Sequence, residues 1–133
     1  MNKKIASYVG LYGLGLIYTA FGLAGLFNML PPPKEIPEGA MAFSAAMFAT
    51  GYFFPMVKLT ESVCGLLLLS GYASPVALVI LAPITLNIFL FHAWLTPGMG
   101  NLVIPVVMIV LHGLAALNYW HLYRPLFRRN PTA

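Results

Sequence analysis

The chain has 133 residues, of which 60% are hydrophobic and only 8% are charged. Soluble globular domains carry about 25% charged residues, so this composition excludes a soluble enzyme and predicts an integral membrane protein. The formal net charge is +4, and most of the basic residues lie near the two ends of the chain. That distribution is typical of cytoplasmic termini and of contact with anionic lipid, and it argues against a nucleic-acid partner.

The first predicted span covers residues 5–30, a run without any formal charge. It is too long for the core of a signal peptide, usually about 7–15 residues, and long enough to cross a bilayer, which takes about 20. Gly22 and Gly25 lie one turn apart on one face, and small residues of this kind let membrane helices pack closely. We expect Pro31, Pro32 and Pro33 to end the helix.

A short apolar segment follows a charged loop. Residues 40–54 would form a helix of roughly 20 Å, which is too short to cross a bilayer on its own. We therefore predict a re-entrant or interfacial helix that packs on the outer side of the bundle. The alternative is one long helix over residues 41–72 with a kink at Pro55.

Three further spans follow, over residues 55–72, 75–95 and 101–121, separated by turns that contain glycine and proline. Four spans return the chain to the side on which it started, which agrees with the basic residues at both ends. The sequence therefore predicts an all-α integral membrane protein. It forms one domain over residues 1–133, a four-transmembrane-helix bundle with the short helix between the first two spans.

The second span carries two charges close to its start. Lys58 and Glu61 are three residues apart and so lie on one face of the helix. A charge at membrane depth costs about 2.5–3.5 kcal/mol on insertion scales, so it usually faces a protein interior or a wet cavity and has a partner. Lys58 has a long stem that can reach water, whereas Glu61 lies deeper. Two interpretations stay open: a functional pocket, and an ion pair that anchors the start of the helix.

Polar residues on three spans fall at similar depths. With both termini inside, Glu61, Asn87 and His112 lie about 9–17 Å below the outer boundary of the membrane. His92 lies above them, and its side chain is directed inward. We therefore predict a ligand-binding cluster of these residues in the outer half of the bundle, with Lys58 at its edge. For Asn87 and His112 a hydrogen bond between helices is the alternative, because the pattern does not determine how each helix is rotated.

Several kinds of cofactor site are not expected. A haem held between helices needs two histidines at one level, and His92 and His112 differ in depth. Zinc takes three or four close ligands, and the predicted cluster has two histidines and one carboxylate. Cys64 is the only cysteine, so neither an internal disulfide nor a CxxC redox pair can form. We expect no haem and no metal, whereas a quinone is compatible with the pattern.

The three later spans and the segment after the last one carry a set of residues that belong together: Lys58, Glu61 and Gly65, then Pro83, Asn87, Phe91 and His92, and finally Tyr123, Arg124 and Pro125. In these residues the chain resembles the DoxX-like family of small bacterial membrane proteins, over most of its length and best over residues 55–127. The resemblance implies a four-helix bundle in the bacterial inner membrane. Some relatives are subunits of thiosulfate:quinone oxidoreductases, and others are associated with redox complexes or act in membrane assembly.

Two functions are expected from these features. In the first, the polar cluster binds a small hydrophobic or quinone-like molecule; Glu61 and His112 contact its oxygens and Asn87 orients it. Electrons would come from a membrane redox partner, because the sequence has no evident electron carrier. In the second, the chain is a non-enzymatic assembly or accessory subunit whose glycine-rich first helix docks on another membrane protein. A homo-oligomer is compatible with both.

Overall fold

The computed structural model describes residues 2–31 and 35–129, and helices account for most of them. In chain order the helices are α1 (Lys3–Leu26), α2 (Glu38–Ala49), α3 (Phe53–Ser70), α4 (Ser74–Leu90), α5 (Met99–Asn118) and α6 (Trp120–Tyr123). A π-helical turn, Phe91–Leu95, extends α4, and a 3₁₀ turn, Arg124–Phe127, follows α6. Four helices are long and apolar enough to cross a membrane: α1, α3, α4 with its π turn, and α5. The all-α class and the four membrane-length helices are thus confirmed, and they indicate a multi-pass membrane protein.

The four long helices form a ring. α1 packs against α3 and α5, and α4 closes the ring by packing against the same two helices. α1 runs antiparallel to both of its neighbours: Gly10 lies against Ala115 near the end of α5, and Gly25 lies against Lys58 near the start of α3. We call the end of the bundle that carries the start of α1 and the end of α5 the terminal end. The opposite end, which carries α2 and the turn between α4 and α5, is the loop end.

α1 ends before the prolines that were expected to stop it. Asn28 has a φ of 58°, in the left-handed region that asparagine tolerates better than most residues. This conformation lets the Met29 N–H donate to the carbonyl of Ala24 at 2.8 Å, which closes the last turn. The helix therefore stops at Leu26, four residues short of the predicted boundary. Pro32 and Pro33, together with Lys34, lie outside the described residues.

A sharp turn separates α2 from α3. Gly51 has a φ of 74°, a conformation that favours glycine. Thr50 Oγ1 donates to the carbonyl of Met47 at 2.8 Å and accepts from the N–H of Phe53 at 3.0 Å, so one side chain closes one helix and caps the next. The chain therefore forms two helices here. The alternative of one kinked helix over residues 41–72 is wrong.

The short helix lies slightly earlier in the chain than predicted. It covers Glu38–Ala49, whereas the composition predicted residues 40–54. Pro55 was expected to interrupt it, but Pro55 lies in the first turn of α3, where a helix does not need the missing N–H. α2 packs against α3 and the π turn at the loop end of the bundle.

At the terminal end, a hydrogen bond ties the last helix to the start of α4. The Tyr123 hydroxyl donates to the carbonyl of Pro75 at 2.7 Å. Burial, followed by the neighbouring Tyr119, raises the pKa of the Tyr123 phenol, so the hydroxyl keeps its proton at neutral pH. The helix predicted to reach residue 121 ends at Asn118, and α6 continues after a break at Tyr119.

The bundle is apolar both inside and outside. Its core is one cluster that includes Leu14, Leu68, Leu78 and Leu81, all fully buried. The outer surfaces of all four long helices also carry large exposed apolar side chains. A surface of this kind is unfavourable in water and suits contact with lipid.

Candidate functional site

A close crossing of α1 and α3 positions the charged residues. A Cβ atom built on Gly22 would lie 2.8 Å from the backbone nitrogen of Ser62, and one built on Gly65 would lie 2.6 Å from that of Thr19. The missing side chains allow the two backbones to approach, as small residues do in membrane helices. Glu61 is on the same face of α3 as Ser62 and Gly65 and is therefore held inside the bundle.

Lys58 and Glu61 form an ion pair. The distance between Nζ of Lys58 and Oε2 of Glu61 is 2.7 Å, and the side chains are 17% and 3% exposed, respectively. The stem of Lys58 lies over Gly25, where a Cβ atom would be 2.6 Å from the lysine Cδ. Nζ also lies 5.7 Å from the centre of the Phe54 ring, within the range of a cation–π contact. The carboxylate thus has the partner that its depth requires.

A cavity of about 370 Å³ opens on this ion pair between the four long helices. We call it the central cavity. Lys58, Glu61, His92 and the phenol of Tyr18 supply its ionisable groups. The remaining lining residues are largely apolar: Ile17, Phe21, Ile88, Gly100, Asn101, Ile104, Pro105 and Met108. Small-molecule sites typically measure about 300–1,000 Å³ and have apolar walls with a few polar groups, and the central cavity fits both properties.

A second cavity of about 270 Å³ lies beneath α2, and we call it the α2 cavity. It shares Lys58, Glu61, Ile88 and His92 with the central cavity. Its other walls come from α2, α3 and α4: Phe43, Ser44, Met47, Phe48, Phe54, Val57, Ile84, Asn87 and Phe91. The ion pair and the imidazole therefore border both cavities.

The π turn that extends α4 determines how His92 is oriented. The Nδ1 atom of His92 lies 2.8 Å from the carbonyl oxygen of Ile88. Because a carbonyl oxygen only accepts, Nδ1 carries the hydrogen, and Nε2 is the acceptor in the neutral ring. The wider turn is closed by a 3.3 Å hydrogen bond from the Thr96 N–H to the carbonyl of Phe91, five residues back. Such π-helical turns are frequent at functional sites.

The structure divides the five predicted site residues into two groups. Lys58, Glu61 and His92 line both the central and the α2 cavities, and Asn87 lines the α2 cavity with them. His112 lines neither of them. It borders a separate shallow cavity of about 210 Å³ between α4 and α5.

His112 takes part in a hydrogen-bond network between helices. Its Nδ1 is 2.9 Å from Oγ1 of Thr85, and that oxygen is 2.6 Å from the hydroxyl of Tyr18. Oγ1 of Thr85 also donates to the carbonyl of Leu81 at 3.0 Å. The Thr85 oxygen is thus shared by three partners: a backbone carbonyl, a phenol and an imidazole. The network joins α1, α4 and α5, which is the interhelical alternative considered for His112.

Tyr18 and Thr85 were not among the site residues predicted from the sequence. Tyr18 is almost fully buried and lines the central cavity. It shares one helix face with Gly15, Gly22 and Gly25, and this three- and four-residue spacing was a usable signal for an inward position. Thr85 sits in an apolar span without any such signal, because one threonine in a membrane helix can bond to its own backbone.

Within residues 2–31 and 35–129, no group of three or more His, Cys, Asp or Glu side chains is placed to hold a metal ion. Cys64 is a buried free thiol in the apolar core. The charged and basic groups of the central cavity are thus one ammonium group, one carboxylate and one imidazole, beside the phenol of Tyr18 and the amide of Asn101.

Comparisons of the chain with protein families, with curated proteins and with solved structures found no match. The resemblance to the DoxX-like family thus stays a prediction that depends on the residues named for it. The structure supports the coarser conclusion of a multi-pass membrane protein with four membrane-length helices and an ion pair at an internal cavity.

Proposed function

We propose that this protein binds a small hydrophobic, quinone-like molecule in the central cavity, as a DoxX-like subunit associated with a membrane redox complex. One observation carries the proposal: the Lys58–Glu61 ion pair and His92 share the wall of an apolar cavity of about 370 Å³. Ionisable residues inside a membrane domain are functional candidates by default. A pair that only anchors a helix start would not need a cavity beside it.

The polar groups at the wall suit both redox forms of a quinone. The ammonium of Lys58 has three N–H donors, one of which goes to Glu61, so another can donate to a quinone carbonyl. Oε1 of Glu61 and Nε2 of His92 are acceptors for the hydroxyl of a quinol. Reduction of a quinone takes up two electrons and two protons. In this proposal the carboxylate and the imidazole exchange the protons, and a partner protein supplies the electrons.

The test is binding of a tail-less quinone, 2,3-dimethoxy-5,6-dimethyl-1,4-benzoquinone, to the purified protein by titration calorimetry. Its four ring positions are all substituted, so it does not alkylate Cys64. We expect Glu61→Gln to raise the Kd at least about tenfold, because a hydrogen bond to a charged group contributes about 1.5–3 kcal/mol.

Glu38→Gln is the matched control, since it makes the same chemical change at an exposed position in the first turn of α2. Its Kd should equal that of the wild type. An unchanged Kd in Glu61→Gln would remove the carboxylate from the site and contradict the proposal.

We propose further that the protein lies in the bacterial inner membrane with its terminal end in the cytoplasm, so that α2 lies at the outer interface. The support is the charge distribution: Lys3 and Lys4 begin α1, and Arg124 follows α6, all at the terminal end. A green fluorescent protein fused after the last residue should fluoresce in bacterial cells, and alkaline phosphatase fused there should be inactive. Active phosphatase would reverse the orientation.

The alternative function, an assembly or accessory subunit that docks through the glycines of the first helix, has weaker support. Gly22 packs against Ser62 and Gly25 against Lys58, so both are used within the chain. Neither glycine offers a free face to another membrane protein.

A further inference from the structure

Three cavities that share lining residues lie in series between the ion pair and the outer surface of the bundle, and we call this series the route. The third, of about 270 Å³, is lined by Phe43, Asn87, Leu90, Phe91, Trp94 and Leu95, and we call it the lateral cavity. It shares Phe43, Asn87 and Phe91 with the α2 cavity, which in turn shares its inner wall with the central cavity. Trp94 is 74% exposed, so the route ends at the outer surface of the bundle.

We propose that this route holds the hydrocarbon tail of the ligand and that the ligand enters sideways from the bilayer, beneath α2. The inference depends on the proposed function, because it takes the head group to be at Lys58 and Glu61. It narrows the ligand class to molecules with a polar head and one long apolar tail. Compact rings without a tail would leave the α2 and lateral cavities unfilled.

The chemistry of the walls supports a tail. Apart from the residues shared with the central cavity, the α2 and lateral cavities have only two polar side chains, Ser44 and Asn87. All their other walls are aliphatic, aromatic or thioether groups. Asn87 lies in the walls of both cavities. A hydrocarbon chain needs no hydrogen bonds, so it fits these walls better than a second polar group would.

Two aromatic rings border the route where the α2 and lateral cavities meet. Phe43 of α2 and Phe91 of the π turn have ring centres 5.6 Å apart, and both residues line the α2 and the lateral cavities. α2 packs on α3 and the π turn, and the glycine turn at Gly51 connects it to α3. A small movement of α2 on this turn would separate the rings and admit a tail.

The tail contributes selectivity more than affinity. Lipid is as apolar as the walls of the route, so a tail that leaves the bilayer for the protein gains little free energy. Blocking the route should therefore act by exclusion. A tailed ligand would lose its fit, whereas a ligand with the same head and no tail would bind as before.

The experiment compares two quinones that share one ring: the tail-less probe used above and its analogue with a decyl chain in place of one methyl group. Ser44→Trp and Met47→Trp each place an indole in the α2 cavity. For each variant we expect the Kd of the decyl probe to rise at least tenfold and that of the tail-less probe to stay within twofold of wild type. The decyl probe also partitions into detergent micelles, which changes its apparent Kd by the same factor for every protein and so does not affect the ratio of variant to wild type.

Ala45→Trp is the control, since Ala45 is exposed on the same helix and lines none of the three cavities. It should bind both probes like the wild type. The inference is overturned if the decyl probe binds Ser44→Trp and Met47→Trp with wild-type Kd, or if both probes weaken equally in them. If neither probe binds the wild type, the proposed function itself fails and the tail route fails with it.

Discussion

Gly22→Ala should lower the unfolding temperature of the purified protein by at least about 5 °C. A Cβ atom at this position would lie 2.6 Å from Oγ of Ser62 and 2.8 Å from its backbone nitrogen. A hydroxyl can rotate away, but a backbone nitrogen can move only if α1 and α3 separate. Overpacking of this kind costs about 1–3 kcal/mol, and for a chain of this size each kcal/mol corresponds to about 4 °C.

The chain has a built-in reporter for this measurement. Cys64 is the only cysteine and is 3% exposed in the folded protein. A dye that becomes fluorescent on reaction with a thiol therefore labels the protein as it unfolds, and a temperature scan in detergent gives the midpoint.

Gly113→Ala is the matched control. It makes the same change inside a long helix, but nothing lies within 4 Å of the added Cβ atom. Alanine favours a helix over glycine by about 1 kcal/mol, so the midpoint of this variant should equal or exceed that of the wild type. A similar fall in both variants would mean that Gly22 is no closer to its neighbour than an exposed glycine is.

The number and order of the long helices could be predicted because a bilayer demands uncharged runs of about 20 residues. Their ends were harder to predict, for a local reason. α1 stops because Asn28 adopts a left-handed conformation, and asparagine does so only in some contexts. Three prolines in a row were the stronger signal in the sequence, yet they come after the helix has already ended.

Glu61 could be predicted to face inward, but Asn87 and His112 could not be given a direction. A carboxylate inside a membrane is so costly that it selects the one rotation in which it has a partner. A neutral amide or imidazole has a weaker effect on the rotation of its helix, since hydrogen bonds between membrane helices contribute only about 0.6–1.7 kcal/mol. Packing of the surrounding apolar residues then sets the rotation, and it directs His112 to Thr85 and away from Glu61.

For the glycines of α1, the sequence likewise predicts the face that packs but not the residues packed against it. Their spacing predicted a face for close packing, and Gly22 and Gly25 do lie on such a face. Spacing does not identify the residues packed against this face, because they depend on the register between α1 and α3. Register places Ser62 against Gly22 and the stem of Lys58 against Gly25, so the crossing also supports the ion pair.

Lys58→Met is expected to be more destabilising still, by about 3–5 kcal/mol. The Glu61 side chain is 3% exposed, and its charge is balanced by the Lys58 ammonium, whose Nζ lies 2.7 Å from Oε2. Removing one partner of a buried ion pair leaves an uncompensated charge, which accounts for a cost of this size. The midpoint from Cys64 labelling should fall by more than 10 °C, well beyond the change in Gly22→Ala.

The reverse change should cost less. In Glu61→Leu the remaining charge is at the tip of a long stem that is already 17% exposed, and it lies on the loop-end side of Glu61. Such a side chain can extend its ammonium towards the surface of the membrane. We therefore expect Glu61→Leu to be less destabilising than Lys58→Met. Equal falls in the unfolding midpoint would indicate that the Lys58 ammonium can no more reach water than the Glu61 carboxylate can.

The double variant Lys58→Met/Glu61→Leu separates structure from function. Replacing a whole buried ion pair by apolar residues of similar volume is often neutral or stabilising, so its midpoint should return to within a few degrees of the wild type. Its shape is then close to native, while the lining shared by the central and α2 cavities has lost both charges. If the pair only anchors α3, this folded variant should still bind the tail-less quinone. If the pair holds the head group of the ligand, binding should be lost although stability is restored.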